Sequence, residues 1–439
     1  MLRIDSKEIN PGDTFLSLPE SEEEKEKHIE EAIDKGAACI ITDKGEYQVK
    51  TIIAPDTKTY LSNYLKELYL EKIDNIKIIG IVGKEGKTLT QNLITQVLNN
   101  LNSKTAYIGE NEFYLDGKTV KSKANIYTMY ENIGKAIDNN CENIVIEISS
   151  ESVVQREFEG LRFDIVIYTN LIGDNITEEY INTKIEPFKM IKKDGYAIIN
   201  KNDQYYEKFS LPQNQNIFYG NKKCDYKVTD ISLTYDFISF SVNNIKIKLP
   251  ILGSYNIYNF INAYIIAKLL NFSDEEIIES AKNLKQVEGR YQTIKSKDNL
   301  IIIDNANNEE RIKSIIYYTK EFRKGKIITI IGCDSNTEKK ERAKIGTAVT
   351  KLSDFTIFTS DNPRYEEPED IIDDMKKNIN NNNYDIIINR KEAIKKGISL
   401  LEKEDILLIL GKGNEEFQII GNDEFPYNDY KEVIKNIKR

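Results

Sequence analysis

The chain has 439 residues, 40% of them hydrophobic, and a formal net charge of −10. A chain of this length exceeds the size that a single hydrophobic core serves, so we expect two or three domains. The acidic balance argues against a nucleic-acid binder, whose affinity rests on basic surface, and the sequence contains no apolar run long enough for a membrane span. We expect a cytoplasmic monomer whose partners are small molecules.

Cysteine and histidine usage limits the possible chemistry. Cys39, Cys141, Cys224 and Cys333 lie far apart in the sequence, which favours isolated thiols over a disulfide framework or a zinc cluster. His28, the only histidine, lies in a polar run typical of a solvated helix. Chemistry that needs a histidine base is therefore nearly excluded elsewhere in the chain.

Short apolar runs rich in Ile and Val recur along the chain and read as buried parallel strands. In chain order they lie at 76–82, 143–148, 164–169, 299–304, 326–332, 354–360 and 405–411. Amphipathic helical stretches lie at 89–101, 259–270 and 368–379. This alternation predicts an α/β fold with mostly parallel sheets, in which ligands bind at the carboxyl ends of the strands.

The remaining patterns divide the chain into three predicted domains. The run 225–249 alternates polar and apolar residues, which predicts antiparallel strands. We place an N-terminal α/β domain at 1–75, a central domain with a phosphate-loop candidate at 76–288, and a C-terminal Rossmann-like α/β domain at 289–439.

The stretch "GIVGKEGKT" at 80–88 links a predicted strand to a predicted helix. Gly83 and Gly86 would let backbone N–H groups approach phosphate oxygens, and the helix N-terminus favours negative charge. Lys87 adds a positive charge, and Thr88 adds a hydroxyl that suits magnesium. Taken alone, the stretch is equally compatible with an ordinary glycine turn, because a strict Walker loop would have glycine at Ile81.

A carboxylate at the end of the next strand favours nucleotide binding. Glu147 emerges from the apolar run "NIVIEI", where a charge is costly unless it is paired or binds a metal. Glu147 and Thr88 together form a plausible magnesium pair. Asn170, Asp174 and Lys184 follow the next strand.

With these motifs, the chain resembles the Mur ligases, ATP-dependent enzymes that add amino acids to UDP-N-acetylmuramoyl peptides. Their loop reads G-x-T-G-T-x-G-K-[ST], and Gly80 occupies its first position. "IEISS" resembles the family's "EVSS", and Lys184 in "TKIEPF" occupies the place of a lysine that is carbamoylated to hold a second magnesium. "DSKEINPGDTFLSL" at 5–18 resembles the uridine-binding segment of the branch that adds the third residue of the peptide.

The resemblance implies roles for residues along the whole chain, with ATP and Mg²⁺ as cofactors. Catalysis would involve Lys87, Glu147 and Lys184, and the metal ligands would be Thr88, Glu147 and Lys184. Nucleotide contacts would come from Gly83, Gly86, Lys87, Thr88, Asn256, Asn259, Arg290 and Asp304. Contacts to the UDP-muramoyl peptide and the amino acid would come from Ser6, Ser149, Arg342, Asp361, Asn362, Arg364, Gly411 and Glu415. "DNPR" at 361–364 is typical of members that add meso-diaminopimelate.

The chain departs from the family at every motif histidine. Those positions hold Glu151, Asn175, Asn307 and Asn414. Two hypotheses therefore stay open. The first is an active amino-acid ligase of peptidoglycan synthesis or one with a related acceptor. The second is a degenerate paralogue that binds nucleotide or muropeptide without turnover.

Overall fold

A computed structural model describes residues 2–19, 21–172 and 176–438. The strands, numbered in chain order, are β1 (Leu2–Arg3), β2 (Thr14–Leu16), β3 (Cys39–Thr42), β4 (Lys50–Ile53), β5 (Lys77–Val82), β6 (Thr105–Ile108), β7 (Glu112–Leu115), β8 (Lys118–Lys121), β9 (Asn143–Ile148), β10 (Phe163–Tyr168), β11 (Ile191–Asn200), β12 (Gln215–Gly220), β13 (Tyr226–Leu233), β14 (Ile238–Val242), β15 (Ile245–Leu249), β16 (Gln292–Ser296), β17 (Asn299–Asp304), β18 (Ile327–Ile331), β19 (Phe355–Phe358), β20 (Tyr384–Ile386), β21 (Ile406–Leu410), β22 (Phe417–Ile420) and β23 (Asp423–Pro426).

The helices connect these strands and cover the sheets. They are α1 (Glu22–Asp34), α2 (Thr57–Ile73), α3 (Lys87–Asn100), α4 (Ile126–Asp138), α5 (Ser150–Val154), α6 (Glu178–Lys189), α7 (Tyr206–Phe209), α8 (Tyr255–Leu269), α9 (Asp274–Ala281), α10 (Glu309–Lys320), α11 (Lys339–Leu352), α12 (Pro368–Lys376), α13 (Arg390–Ser399) and α14 (Asp429–Ile437). Within the described ranges, no helix is both long enough and apolar enough to cross a bilayer.

The first sheet lies in the N-terminal part of the chain. Its order is β1-β2-β3-β4, and all neighbours are parallel. Phe15 and Ile40 of this sheet pack with Ile29 and Ala32 of α1 in a small core of their own. Burial of one sheet face against a helix is the physical basis of this α/β layer.

The central sheet places the predicted phosphate loop at its middle. Its strands between residues 77 and 220 are ordered β12-β11-β10-β5-β9-β6-β7-β8. The strands from β12 to β6 are parallel, and β7 and β8 are antiparallel additions at the edge. Because β5 lies between β9 and β10, the residues after these three strands emerge at one sheet edge.

The second large sheet lies in the C-terminal part of the chain. Its order is β16-β17-β21-β18-β19-β20, and only β16 runs antiparallel to its neighbour. Apolar side chains of alternating orientation fill two cores, one against α10, α11 and α12 and one against α13 and α14.

The antiparallel segment predicted at 225–249 consists of β13, β14 and β15, which do not belong to this six-stranded sheet.

The contacts divide the chain into two compact units. The first comprises residues 1–226 with 262–267, and the second comprises 227–261 with 268–439. The predicted α/β class with N-terminal, central and C-terminal sheet domains is confirmed. The domain boundaries after residues 75 and 288 stay predictions.

Candidate active site

The loop between β5 and α3 is held by the residues that follow β10. The backbone N–H of Lys84 donates to the carbonyl of Asn170 at 2.8 Å. The Asn170 amide donates to the Glu85 carbonyl at 3.0 Å and accepts from the Glu85 N–H at 3.2 Å. The Thr169 hydroxyl donates to the same Glu85 carbonyl at 2.9 Å. These bonds hold the loop against the residues that follow β10.

Glycine is required in this loop for steric and conformational reasons. A Cβ atom on Gly83 would lie 1.9 Å from the Thr169 Oγ1, a distance that no side chain can accept. Gly86 has a φ of 82° in the left-handed region and is the N-cap of α3, without a side-chain cap. The first N–H groups of α3 are thus left to a ligand, which suits an anion.

Glu147 and two residues of the first turn of α3 form a polar cluster at the sheet edge. The Thr88 hydroxyl donates to the Glu147 Oε2 at 3.0 Å. The Lys87 Nζ lies 3.7 Å from the Glu147 Oε1 and donates to the Lys84 carbonyl at 3.3 Å. Glu147 is buried, so these partners stabilise a charge that would otherwise be costly.

Lys184 on α6 is buried close to this cluster. Only 2% of its surface is exposed, and its Nζ lies 5.6 Å from the ring centroid of Tyr180. Burial lowers the pKa of Lys184 to about 7, and repulsion by Lys87 acts in the same direction against the attraction of Glu147. A large share of this amine is therefore neutral near neutral pH.

The residues present fit a magnesium ion. The Thr88 hydroxyl and the Glu147 carboxylate are hard oxygen donors that already face each other, and Mg²⁺ prefers such ligands. Among the described residues, no group of three or more His, Cys, Asp or Glu side chains could hold a metal. Any site here would therefore be built on the pair of Thr88 hydroxyl and Glu147 carboxylate.

The two serines predicted to contact substrate have partners in the chain. The Ser6 hydroxyl is buried and donates to the Glu31 carboxylate at 2.7 Å. Ser149 is the N-cap of α5, and its hydroxyl accepts the Ser152 N–H at 2.9 Å. Asp174 and Asn175 lie outside the described residues.

The predicted nucleotide residues of the second unit form two local groups. The Asn259 amide donates to the Asn256 Oδ1 at 3.2 Å, and both side chains are buried. The Asp304 carboxylate at the end of β17 accepts the N–H of Tyr291 at 2.7 Å. Arg290, the neighbour of Tyr291 in the chain, donates to the side-chain oxygen of Asn305 at 2.6 Å.

The predicted amino-acid pocket is organised by a lysine that sequence reasoning missed. The fully buried Lys412 Nζ donates to the Asn362 Oδ1 at 2.8 Å, the Glu415 Oε2 at 2.7 Å and the Asp361 Oδ1 at 3.3 Å. A Cβ atom on Gly411 would lie 2.6 Å from the Asp361 carboxylate. The structure therefore brings together Asp361, Asn362, Gly411 and Glu415.

Both arginines predicted to bind the amino acid hold carboxylates of the chain itself. The Arg364 Nε and Nη2 donate to Asp334 at 3.3 and 3.4 Å. Arg342 donates to Glu366 at 2.7 and 2.8 Å and to Asp374 at 3.2 Å. Its remaining N–H groups donate to the carbonyls of residues 335 and 337.

Three side chains that contact the predicted site residues were missed by sequence reasoning. Lys412 was available as the middle residue of "GKG", which is too common to be a signal on its own. Asp334 and Thr169 contact residues that lie 30 and 84 positions away in sequence, so no local pattern reveals them.

The positions of the missing motif histidines, Glu151, Asn307 and Asn414, are exposed.

Comparison with known proteins gives consistent matches over the whole chain. The profile of the Mur ligase middle domain matches residues 81–267, and that of the Mur ligase glutamate ligase domain matches residues 289–413. UDP-N-acetylmuramoyl-L-alanyl-D-glutamate–2,6-diaminopimelate ligase of Clostridium perfringens is 32% identical over 99% of this chain and 94% of its own length.

Solved structures share the fold. A UDP-N-acetylmuramoyl-L-alanyl-D-glutamate–2,6-diaminopimelate ligase superposes with a TM-score of 0.74 at 23% identity, covering 100% of this chain and 94% of the other. MurF ligase from Thermotoga maritima, solved in complex with ADP, gives a TM-score of 0.63 at 17% identity over 100% and 96% of the two chains.

Proposed function

The chain belongs to the Mur ligase family, and from that premise we propose that it joins meso-diaminopimelate to UDP-N-acetylmuramoyl-L-alanyl-D-glutamate. The reaction is an ATP-dependent peptide-bond formation of peptidoglycan precursor synthesis. The full-length relative from Clostridium perfringens bears the name of this activity. The observation that carries the proposal is the contact of Thr88 and Lys87 with the buried Glu147 behind a glycine loop.

The reaction has two chemical steps. The terminal carboxylate of the dipeptide attacks the γ-phosphorus of ATP, so that an acyl phosphate forms and ADP leaves. The amine of the amino acid then attacks the acyl carbon, the bond to phosphate breaks, and the attacking nitrogen loses a proton. Little covalent chemistry is left to the protein, so catalysis depends on positioning and electrostatics.

The loop residues supply the electrostatic part of the first step. In this proposal the N–H groups at the start of α3 and the Lys87 ammonium bind the phosphate oxygens and stabilise the charge that develops there. The uncapped helix N-terminus and the position of Lys87 in the first turn of α3 support this assignment. Thr88 and Glu147 would hold magnesium. When bound, the ion withdraws charge from the phosphate oxygens.

Lys184 contributes as a neutral amine that can be converted to a carboxylate. Its nitrogen adds to CO₂, a carbon–nitrogen bond forms, and a proton is released, which gives a carbamate. The lowered pKa of Lys184 supports this reaction, because only the unprotonated amine has a free lone pair. The carbamate oxygens would suit a second magnesium, which an ammonium cannot bind.

The second unit supplies the amino-acid site in this proposal. The distal end of meso-diaminopimelate carries a carboxylate and an ammonium group. The Arg364 guanidinium matches the carboxylate, and the Glu415 and Asp361 carboxylates match the ammonium. Lys412 holds these acidic side chains and Asn362 in one arrangement.

The second candidate is a paralogue that binds nucleotide without turnover, and the loss of all motif histidines favours it. The two candidates predict different phosphate release from purified protein with ATP and magnesium. A ligase releases phosphate only when UDP-N-acetylmuramoyl-L-alanyl-D-glutamate and meso-diaminopimelate are both present. A binding protein releases none with any combination of substrates.

Two lysine variants make this experiment decisive. Lys87→Ala removes the charge beside the phosphate loop and should reduce release to background. Lys435→Ala removes an exposed lysine of α14 and should leave release unchanged. Wild-type release that does not exceed that of Lys87→Ala, over a panel of acceptors and amino acids, would exclude the ligase.

A further inference from the structure

The two arginine–carboxylate pairs of the amino-acid pocket differ in how easily a ligand could exchange them. Arg342 is 1% exposed and each of its N–H groups has an acceptor, at 2.6 to 3.2 Å. Opening this pair would leave the buried Arg342 guanidinium without a carboxylate partner, which is strongly unfavourable. Its carboxylates are therefore permanent partners of Arg342.

The pair of Arg364 and Asp334 is suited to exchange. Both contacts are long, at 3.3 and 3.4 Å, and the two side chains are 32% and 27% exposed. Such a partly exposed pair contributes little to stability because water competes for both charges. A ligand carboxylate could replace that of Asp334 on the guanidinium fork without loss of hydrogen bonds.

Each partner of this pair is held in place without the other. Arg364 has a φ of 50°, and its backbone N–H and C=O bond to Ile419 and Gly421 of the β22–β23 hairpin. The Asp334 Oδ1 accepts the Asn336 N–H at 2.8 Å. Their contact is therefore not needed to hold the Arg364 backbone or the Asp334 side chain in place.

We propose that Asp334 is a specificity-determining residue that occupies the Arg364 guanidinium until the distal carboxylate of the amino acid displaces it. The inference rests on the proposed function, which assigns Arg364 to that carboxylate. An amino acid with a distal carboxylate puts that carboxylate on the Arg364 guanidinium in place of the Asp334 carboxylate. Amino acids with only a distal ammonium leave the pair closed and gain no contact there.

The test is the Asp334→Asn variant. Asparagine keeps the oxygen that accepts the Asn336 N–H but removes the charge that competes for Arg364. Loss of a partly exposed competing ion pair should strengthen binding of meso-diaminopimelate about twofold to fivefold. Binding of L-lysine should not improve, because its ammonium would then face an unpaired guanidinium.

Two further variants isolate the Arg364 contact. In an Arg364→Ala background, Asp334→Asn should no longer change the dissociation constant of meso-diaminopimelate. The guanidinium for which Asp334 and the ligand carboxylate compete is then absent. Asp373→Asn, which removes a charge from an exposed pair on α12, should have no effect on either ligand. Calorimetric titration of each amino acid measures all of these constants.

The outcomes separate this inference from the proposed reaction. Weaker binding of meso-diaminopimelate by Asp334→Asn, an equal gain for L-lysine, or no binding by either protein would each overturn the role of Asp334. Phosphate release by the wild-type protein is measured independently. Its absence would overturn the ligase proposal while the binding comparison still decides the role of Asp334.

Discussion

At the residue scale, Lys184 is the most informative side chain. The sequence places it near the predicted metal site only through a resemblance, whereas the structure shows a buried amine with Lys87 and Glu147 nearby. Its neutral form is favoured by burial, a physical property that no local sequence pattern encodes. The same burial lowers the stability of the folded protein when the amine is protonated, and unfolding experiments measure this effect independently of any enzymatic activity.

We predict that Lys184→Met stabilises the protein most at low pH. The folded-state pKa of Lys184, about 7, lies below its ordinary value of 10.5, so the protonated amine opposes folding below pH 7. This cost is relieved as pH rises from about 7 to 10.5, because the folded protein loses its proton first. The excess in unfolding free energy of Lys184→Met over the wild type should therefore fall by at least about 1.4 kcal/mol between pH 7 and 9.5.

Urea unfolding of wild type and variant at several pH values measures this gain. The matched control is Lys189→Met on the same helix, which removes an exposed ammonium and should change the unfolding free energy little. A gain for Lys184→Met that is constant with pH would contradict the lowered pKa.

At the element scale, the β5–α3 loop depends on the end of β10. Thr169 and Asn170 bond to the loop backbone and leave no space for a side chain at Gly83. A glycine pattern predicts a loop that approaches phosphate. The contacts of the loop with Thr169 and Asn170 depend instead on the order of strands in the sheet, which places β10 beside β5. The loop is therefore positioned by two elements that are distant in sequence.

We predict that Gly83→Ala weakens ATP binding at least about tenfold, because the added methyl group would push the loop away from Thr169. Combining it with Thr169→Ala, which removes the closest atom, should restore part of the affinity. Gly117→Ala serves as the control, since its φ is 79° but its Cβ would meet nothing within 4 Å. Titration with a fluorescent ATP analogue measures the three affinities, and equal losses for Gly83→Ala and Gly117→Ala would refute the steric explanation.

At the scale of the whole molecule, each of the two units has its own apolar cores, and no disulfide cross-links the chain. All four cysteines are free thiols. Cys39, Cys141 and Cys333 are buried, and Cys224 is half-buried. Burial raises the pKa of Cys141 to about 11 and also raises that of Cys333, so neither forms the reactive thiolate readily.

We predict that a thiol reagent at neutral pH modifies one cysteine of the native protein and four of the denatured protein. Cys224 is the reactive one, and Cys224→Ser should remove the native reaction. Reducing agent should leave the melting temperature unchanged, since no disulfide contributes to stability. Modification of two or more thiols in the native state would show that a core opens more easily than its packing implies.

Much of the fold followed from local patterns in the sequence. The apolar runs predicted the central strands within one or two residues, because a strand buried on both faces needs uninterrupted apolar side chains. The alternating run likewise predicted β13, β14 and β15 as antiparallel strands. Glycines and a lysine at a strand–helix junction were equally compatible with a phosphate site and with an ordinary turn, and Glu147 at the end of the next strand favoured the phosphate site, which stays a prediction.

Only the tertiary structure decided which charged groups meet. Lys412 binds three acidic or amide side chains, Arg364 faces Asp334, and Arg342 is saturated by carbonyls and carboxylates. Hydrogen bonds and ion pairs act over a few ångströms and carry no sequence periodicity, so their partners become known only once strands and loops are placed. The sequence by itself determined the elements and the chemistry available, and the fold determined which side chains remain free to bind a ligand.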